Sequence, residues 1–391
     1  MSNQIVQKAQ RNVKRRKILD RLHKKGYTFF IRNLTRVKRE LTMQKRMSLE
    51  EISEEINISR TTIYKVINNK GYVTENTRKK VEKALEKYHY VPNYNARDLA
   101  RNREYIIGYV GILHLSPYFA RTAVKGLERA QEEFRDHGLK LVIRESEFLE
   151  PEKQPEQLQE LYDEGIRNII IAVAKSSVVR DKVNELRGLG CNIVYLNRYV
   201  EEEHRIYVGP DYYQSGRVAG ELMGKLLPGG GQILVLLTNS MEIDSAVKDR
   251  CEGFIQESGK YQGLEIVSVV ENINSDRQAV ECVEDYMKEY PNLAGIYDVS
   301  YKLASVAEMV WNKGIGGSIR LIGFDCYEEV VPYLRNSTVD AVVSQDLVGQ
   351  AYLAAKSLFE QMCYGREFEK KDHYAKLGIV MSTNVDYYGD Y

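Results

Sequence analysis

Arg60, Thr61, Tyr64 and Lys65 stand within six residues of one another and supply a guanidinium fork, an ammonium, a hydroxyl and a phenol. Held on one helical face, such a set can hydrogen-bond the edges of base pairs in the DNA major groove, where each pair presents its own donor and acceptor pattern. The elements that must hold them are readable nearby. Ser48 with Glu51 three positions on is a capping-box start, and Leu49, Ile52 and Ile56 then share one helical face. Asn57 suits the left-handed residue of a tight turn. Ser59 is placed to cap a second helix whose inner face is Ile63, Val66 and Ile67, leaving the four polar residues outside. On this pattern alone, a surface helix hairpin fits as well as a DNA reader.

The following segment separates these readings. A third helix starts near Thr74 and carries Val81, Ala84, Leu85 and Tyr88, spaced to close a three-helix core. Pro92 then forbids helix continuation. Asn93 can cap a helix of little more than two turns ending at Arg101, too short to be stable alone in water. Ile58-Ser-Arg-Thr-Thr-Ile-Tyr-Lys-Val-Ile-Asn68, Val73-Thr-Glu-Asn-Thr-Arg78, Tyr90-Val-Pro-Asn93 and Ala96 to Ala100 occur in the order and spacing of the DNA-binding module and hinge helix of the LacI family of bacterial transcription regulators, which this region resembles. The resemblance implies that Arg60, Thr61 and Lys65 read bases, that Asn68 and Arg78 lie near the DNA backbone, and that Leu99 wedges into the minor groove. Ala96 and Ala100 allow the close approach of two hinge helices. Asp98 departs from what is expected so near phosphates.

The chain has 391 residues, enough for two or three domains, and a formal net charge of +1. That near-neutrality conceals an uneven distribution. Residues 1–46 hold 15 Lys and Arg against 2 Asp and Glu, and the segment charges are +13 for 1–46, +2 for 47–104 and −14 for the remainder. A basic head on an acidic body favours one end approaching DNA while phosphate repels the body. No stretch reaches the ~18 apolar residues of a membrane span, and the N-terminus has charged residues where a signal peptide needs an apolar core, so a cytoplasmic protein is expected. Five scattered cysteines without a Cys-x-x-Cys spacing, and six histidines without a ligand pair, predict neither a disulfide framework, a metal nor a cofactor. The 46-residue basic segment allows two amphipathic helices that bind DNA backbone or a partner; equally, translation starts at Met43 or Met47 and the segment is an artefact.

From Tyr105 the pattern alternates apolar strands and helices. Strands are expected at 106–113, 140–144, 169–173 and 191–196, with helices at 120–137 and 177–189. The order then restarts with a helix at 212–226. Continuous apolar strands separated by helices mean parallel sheets covered on both faces. Two successive halves of this type fit a cleft protein that binds a small ligand at the carboxyl ends of its strands. The expected class is therefore α/β: a three-helix helix-turn-helix domain (47–92), a hinge helix and linker (93–104), and two doubly wound lobes of periplasmic-binding-protein type (105–391) that also dimerise.

The family resemblance extends over this body and implies an effector site. Ser116-Pro-Tyr-Phe119 follows the first strand, as in the family, and makes Tyr118 and Phe119 candidate contacts; core aromatics at a helix start is the alternative. Arg250, in Arg250-Cys-Glu-Gly-Phe254, takes the place of the family's effector-binding arginine, whose fork bridges two oxygens. Asp211, Asp325 after Leu321-Ile-Gly-Phe324, Gln345 and Asn197 complete the set. At Ile296-Tyr-Asp-Val-Ser300 the sequence departs from the family, leaving either Asp298 or Ser300 to bond a polyol.

Pro228-Gly-Gly-Gly-Gln232 lacks the Lys-Ser/Thr of a phosphate loop and reads as a turn. No nucleophile elbow or dinucleotide fingerprint is found, so catalysis is not expected. The reading is a ligand-responsive repressor that binds a pseudo-palindromic double-stranded DNA operator as a homodimer, with a sugar or polyol effector. A sugar solute-binding protein is the alternative; it would share the body but have no use for residues 48–101.

Overall fold

In the computed structural model, residues 49–67, 72–88, 104–112, 117–146, 150–202, 205–368 and 370–388 are described. The chain divides into two compact units, residues 1–94 and 95–391. In the first, helices α1 (Leu49–Ile56), α2 (Arg60–Ile67) and α3 (Glu75–Lys87) enclose a small core. Ile52, Ile63, Val66, Val81 and Ala84 are buried at its centre, with Leu49, Ile56, Ile67, Leu85 and Tyr88 packed around them. These are the residues that helical spacing selects. Asn57 makes the turn between α1 and α2 with φ 52°, a left-handed conformation that asparagine adopts at low cost. Ser59 caps α2, its hydroxyl accepting from the Thr62 backbone N–H at 3.2 Å.

The second unit holds two six-stranded sheets. The first lobe contains β1 (Tyr105–Ile112), α4 (Pro117–Glu133), β2 (Leu139–Ser146), α5 (Lys153–Asp163), β3 (Asn168–Ile171), α6 (Ser176–Gly188), β4 (Asn192–Leu196) and β5 (Ile206–Gly209). The second contains α7 (Tyr212–Leu226), β6 (Gly231–Leu237), α8 (Ser245–Ser258), β7 (Leu264–Val270), α9 (Asp276–Glu289), β8 (Leu293–Val299), α10 (Leu303–Asn312), β9 (Arg320–Phe324), α11 (Val331–Arg335) and β10 (Ala341–Ser344). The chain then returns. Helix α12 (Leu347–Tyr364) packs on the first lobe with α4, β11 (Asp372–Tyr374) pairs with β5, and β12 (Gly378–Val380) pairs with β10 of the second lobe.

Strand order is β2-β1-β3-β4-β5-β11 in one sheet and β7-β6-β8-β9-β10-β12 in the other. Among the described residues only the β10–β12 pair is antiparallel. Both faces of each sheet are covered, as parallel strands require. In β6, Leu234 and Leu236 enter one core while Ile233, Val235 and Leu237 enter the other. The halves are thus not strictly successive as expected. The lobes are joined by three crossings, at 209–212, 344–347 and 374–378. Three short parallel links permit a change of lobe angle while each sheet stays intact. The helix expected at 120–137 is α4 followed by a separate 3-10 turn at Arg135–His137.

Candidate effector cleft and DNA-reading surface

On the first unit, Ser59, Arg60, Thr61 and Lys65 are exposed and Arg78 is half-buried. Arg60 donates to Glu50 of α1 at 3.1 Å, with about two-thirds of both side chains exposed. Such a surface pair contributes about 0–1 kcal/mol and is readily exchanged for a base contact. Asn68, Asn93, Ala96, Leu99 and the side chain of Tyr64 lie outside the described residues, as do residues 1–46.

In the second unit the strand ends converge on a buried polar network. Asn197 follows β4, Asp298 lies in β8, Ser300 and Tyr301 follow it, Asp325 follows β9, and Gln345 follows β10. This is where open parallel sheets place ligands. Asn197, Tyr301 and Asp325 adopt positive φ, 66°, 60° and 64°, which turns each chain sharply as it leaves its strand. The Asn197 amide donates to Gln345 Oε1 at 2.6 Å and to Gln350 Oε1 at 3.3 Å, and Gln345 Nε2 donates to Asp325 Oδ2 at 2.8 Å. The Tyr212 hydroxyl lies within donating distance of both Asn197 oxygens, 2.7 and 2.8 Å. One asparagine thereby ties the first lobe to the segments entering and leaving the second.

Arg250 is 2% exposed. Its guanidinium carbon lies 3.7 Å from the ring centroid of Phe324 and 4.5 Å from that of Tyr212. Helices α7 and α8 seat it by touching backbone to backbone. A Cβ at Gly216 would stand 2.0 Å from the Arg250 carbonyl oxygen, and one at Gly253 would stand 2.1 Å from that of Tyr213. Gly216→Ala is therefore expected to push the helices apart and to cost roughly 1–3 kcal/mol, read as a lowered midpoint in thermal denaturation; an unchanged midpoint would show that the crossing has slack.

Burial pushes the Asp298 carboxyl up to about 6, against the opposing bonds from Ser300 N at 2.6 Å and Ser300 Oγ at 2.8 Å. It does the same to Asp325, to about 6, against Arg250, Gln345 and Tyr301. Among the described residues Arg250 Nε, Asp298 Oδ2 and Asp325 Oδ1 are buried without a hydrogen-bond partner. Buried groups of this kind are costly unless something satisfies them.

Next to this network is an interlobe cavity of about 400 Å³, walled by Lys175, Ser176, Arg198, Tyr212, Asn239 and Asp244 among others. Arg198 of the first lobe reaches Asp244 of the second at 2.9 Å, and Asn239 donates to the same carboxylate oxygen at 2.8 Å. Burial opposes ionisation of Asp244, but these two bonds, the N–H of Val247 at the start of α8 and the charge of Arg250 outweigh it and hold the carboxyl below its ordinary value.

The structure thus brings Asn197, Arg250, Asp298, Ser300, Asp325 and Gln345 to the strand ends, although none of them lines this cavity. Tyr118 borders a second interlobe cavity with Cys326, Lys376 and Tyr388. Phe119 is not brought there: it is 5% exposed and points into the first lobe's core, the alternative left open above. Asp211 caps α7 by accepting from Gln214 N at 2.9 Å. Arg198, Asp244, Gln350, Tyr212 and Tyr301 were not foreseen, and only their place just after a strand or at a helix start could have marked some of them.

Comparison with known proteins agrees with both units. Residues 48–93 match the family described as bacterial regulatory proteins, lacI family, and residues 107–367 match the periplasmic binding protein domain. The sucrose operon repressor of Lactococcus lactis is 24% identical over 293 residues, covering 75% of this chain and 87% of the relative. The ribose operon repressor of Bacillus subtilis is 24% identical over 285 residues, covering 71% and 81%. Among solved structures, a solute binding protein from Burkholderia graminis in complex with D-arabinose superposes with a TM-score of 0.65 at 21% identity, over 72% of this chain and 96% of that one. A LacI transcriptional regulator from Bacteroides fragilis gives 0.64 at 18% identity, over 73% and 100%. Those likenesses extend the fold assignment to the whole two-lobed body. The larger part of the chain belongs to the periplasmic binding protein domain family, and residues 48–93 add a domain of the lacI family of bacterial regulatory proteins.

Proposed function

We propose that this regulator is a repressor whose operator affinity is set by a sugar or polyol bound between the two lobes. The carrying observation is the trio of buried, unpartnered groups at the strand ends: one guanidinium donor on Arg250 and one carboxylate oxygen each on Asp298 and Asp325. Vicinal hydroxyls offer a donor and an acceptor at every carbon and suit such a set. Two relatives are named for sucrose and ribose operons, which supports the same class.

The protein acts as a homodimer in this reading, with α2 of each subunit in a major-groove half-site and residues 93–104 forming the hinge. Strand β1 starts at Tyr105, directly after that segment, so a change of lobe angle moves the end to which the hinge is attached. A coupling of ~1–3 kcal/mol shifts operator affinity roughly 5- to 150-fold.

Titration calorimetry with D-ribose, D-arabinose and sucrose tests the reading; no binding by any of them and no effect on the operator complex would count against it. The pH dependence gives a further expectation. Asp325 and Asp298 accept best when ionised, and both titrate near 6, so sugar affinity should fall by about tenfold between pH 7 and pH 5 as a proton competes for one of them. A flat profile over that range would remove these carboxylates from the contact set. Stability should respond in the opposite sense. Both pKa values are raised above the unfolded value, so the native state binds more protons between about pH 4 and 6, and these two groups make the fold more stable as pH falls through 6.

A further inference from the structure

Two adjacent residues after β4 bond the second lobe in different ways. Asn197 reaches Gln345 at the crossing at 344–347 and Tyr212 at the end of the crossing at 209–212. Segments at the crossings stay side by side at any lobe angle, so these bonds do not set it. Arg198 instead reaches Asp244, which follows β6, and β6 is separated from β10 and its crossing by β8 and β9. Three strand spacings put β6 roughly 14 Å from β10. A bond of 2.9 Å so placed is lost when one lobe rotates away from the other. The pair is also firmly held. Its side chains are only 16% and 7% exposed. Within its own lobe Asp244 accepts from Asn239 Nδ2 at 2.8 Å on Oδ2 and from the N–H groups of Ala246 and Val247 at 3.1 and 3.2 Å on Oδ1. The arginine fork therefore meets a carboxylate that is already oriented. Asp244 starts α8, the helix that carries Arg250, so the bond also ties that helix to the first lobe.

We propose that the Arg198–Asp244 ion pair is a latch that holds the two lobes together at one closed angle. Both halves belong to the protein, so the latch needs no effector to form. Both residues are in the wall of the interlobe cavity of about 400 Å³, so a ligand entering there meets lobes already drawn together. Any change of lobe angle must first break this bond. The lobe angle then has two defined settings, latched and released, where a plain hinge would have a continuous range.

The test is small-angle X-ray scattering from the full-length protein without sugar, at one protein concentration, for the wild type, Asp244→Asn, Arg198→Met and the double variant. Asparagine still caps α8, and methionine keeps an unbranched stem. The double variant leaves no buried charge unpaired, so it decides the matter if a single variant fails to fold. All three variants are expected to show the same shift to a larger radius of gyration, because removing either half or both breaks one and the same bond. A wild-type radius in the double variant would overturn the proposal, as would a wild-type radius in either folded single variant. No sugar enters the measurement, so the result stands or falls apart from the sugar reading above.

Discussion

Arg250→Met is expected to abolish the effector response while leaving operator binding within a few-fold of wild type. Methionine keeps an unbranched, adaptable stem in the space beside Phe324 and Tyr212 but removes the guanidinium. With it goes the charge facing Asp325, whose carboxyl is then raised further and presents a proton where the ligand needs an acceptor. A charge-assisted hydrogen bond contributes about 1.5–3 kcal/mol, so loss of the arginine contact to a sugar predicts an affinity roughly 10- to 150-fold lower. Lysine is a poor replacement, since a point charge cannot bridge two oxygens as the planar fork does. Calorimetry reads the affinity, and a shift assay with added sugar reads the response. Sugar binding preserved in the variant would place the effector elsewhere in the cleft.

Arg60→Ala is expected to relax operator discrimination and to leave non-specific DNA binding almost unchanged. Arg60 opens α2, its side chain is mostly exposed, and its Glu50 partner sits on the neighbouring helix where it can be released. A bidentate arginine contact to a base is worth about 1–3 kcal/mol of discrimination, and a dimer loses it in both half-sites. A drop of roughly 30-fold to about 10,000-fold in the ratio of operator to random-sequence affinity follows, measured at fixed salt because the backbone contribution varies steeply with salt. The stability of the helical unit should not change, since Arg60 is outside the core formed by Ile52, Ile63, Val66, Val81 and Ala84. An unchanged ratio would mean that α2 does not read bases through this residue.

The helical unit was legible because its information is local. The spacing of Ile52, Ile63, Val66 and Val81 places each residue on an inner face, and Asn57 and Ser59 make the turn and the cap through their own short side chains. The longer strands of the two lobes were legible for a related reason, since a strand buried on both faces must be continuously apolar, whereas the short β5, β11 and β12 were not foreseen. Helix α12 was missed. It is largely apolar, carries no strand-like alternation, and owes its place to packing against α4, more than two hundred residues earlier.

The site divides along the same line. Arg250, Asp298, Asp325 and Gln345 follow from motifs at strand ends and a helix start. Phe119 could not be placed, because the rotation of α4 decides whether Tyr118 or Phe119 faces the cleft, and that is fixed by packing. Asn197 meets Gln350 across 153 residues of chain, and Arg198 meets Asp244 across 46. Such pairs exist only once the three crossings have brought the lobes together.

A regulator of this kind reads an operator and a sugar in one molecule, and each must affect the binding of the other. The most direct measurement is equilibrium binding of the purified full-length protein to the palindromic sites upstream of its own gene, at a stated salt concentration, with and without D-ribose, D-arabinose and sucrose. Tight, sequence-dependent binding that one of these sugars shifts by roughly 5- to 150-fold is the expected result. Binding that shows no sequence preference, vanishes as salt is raised and ignores every sugar would contradict it.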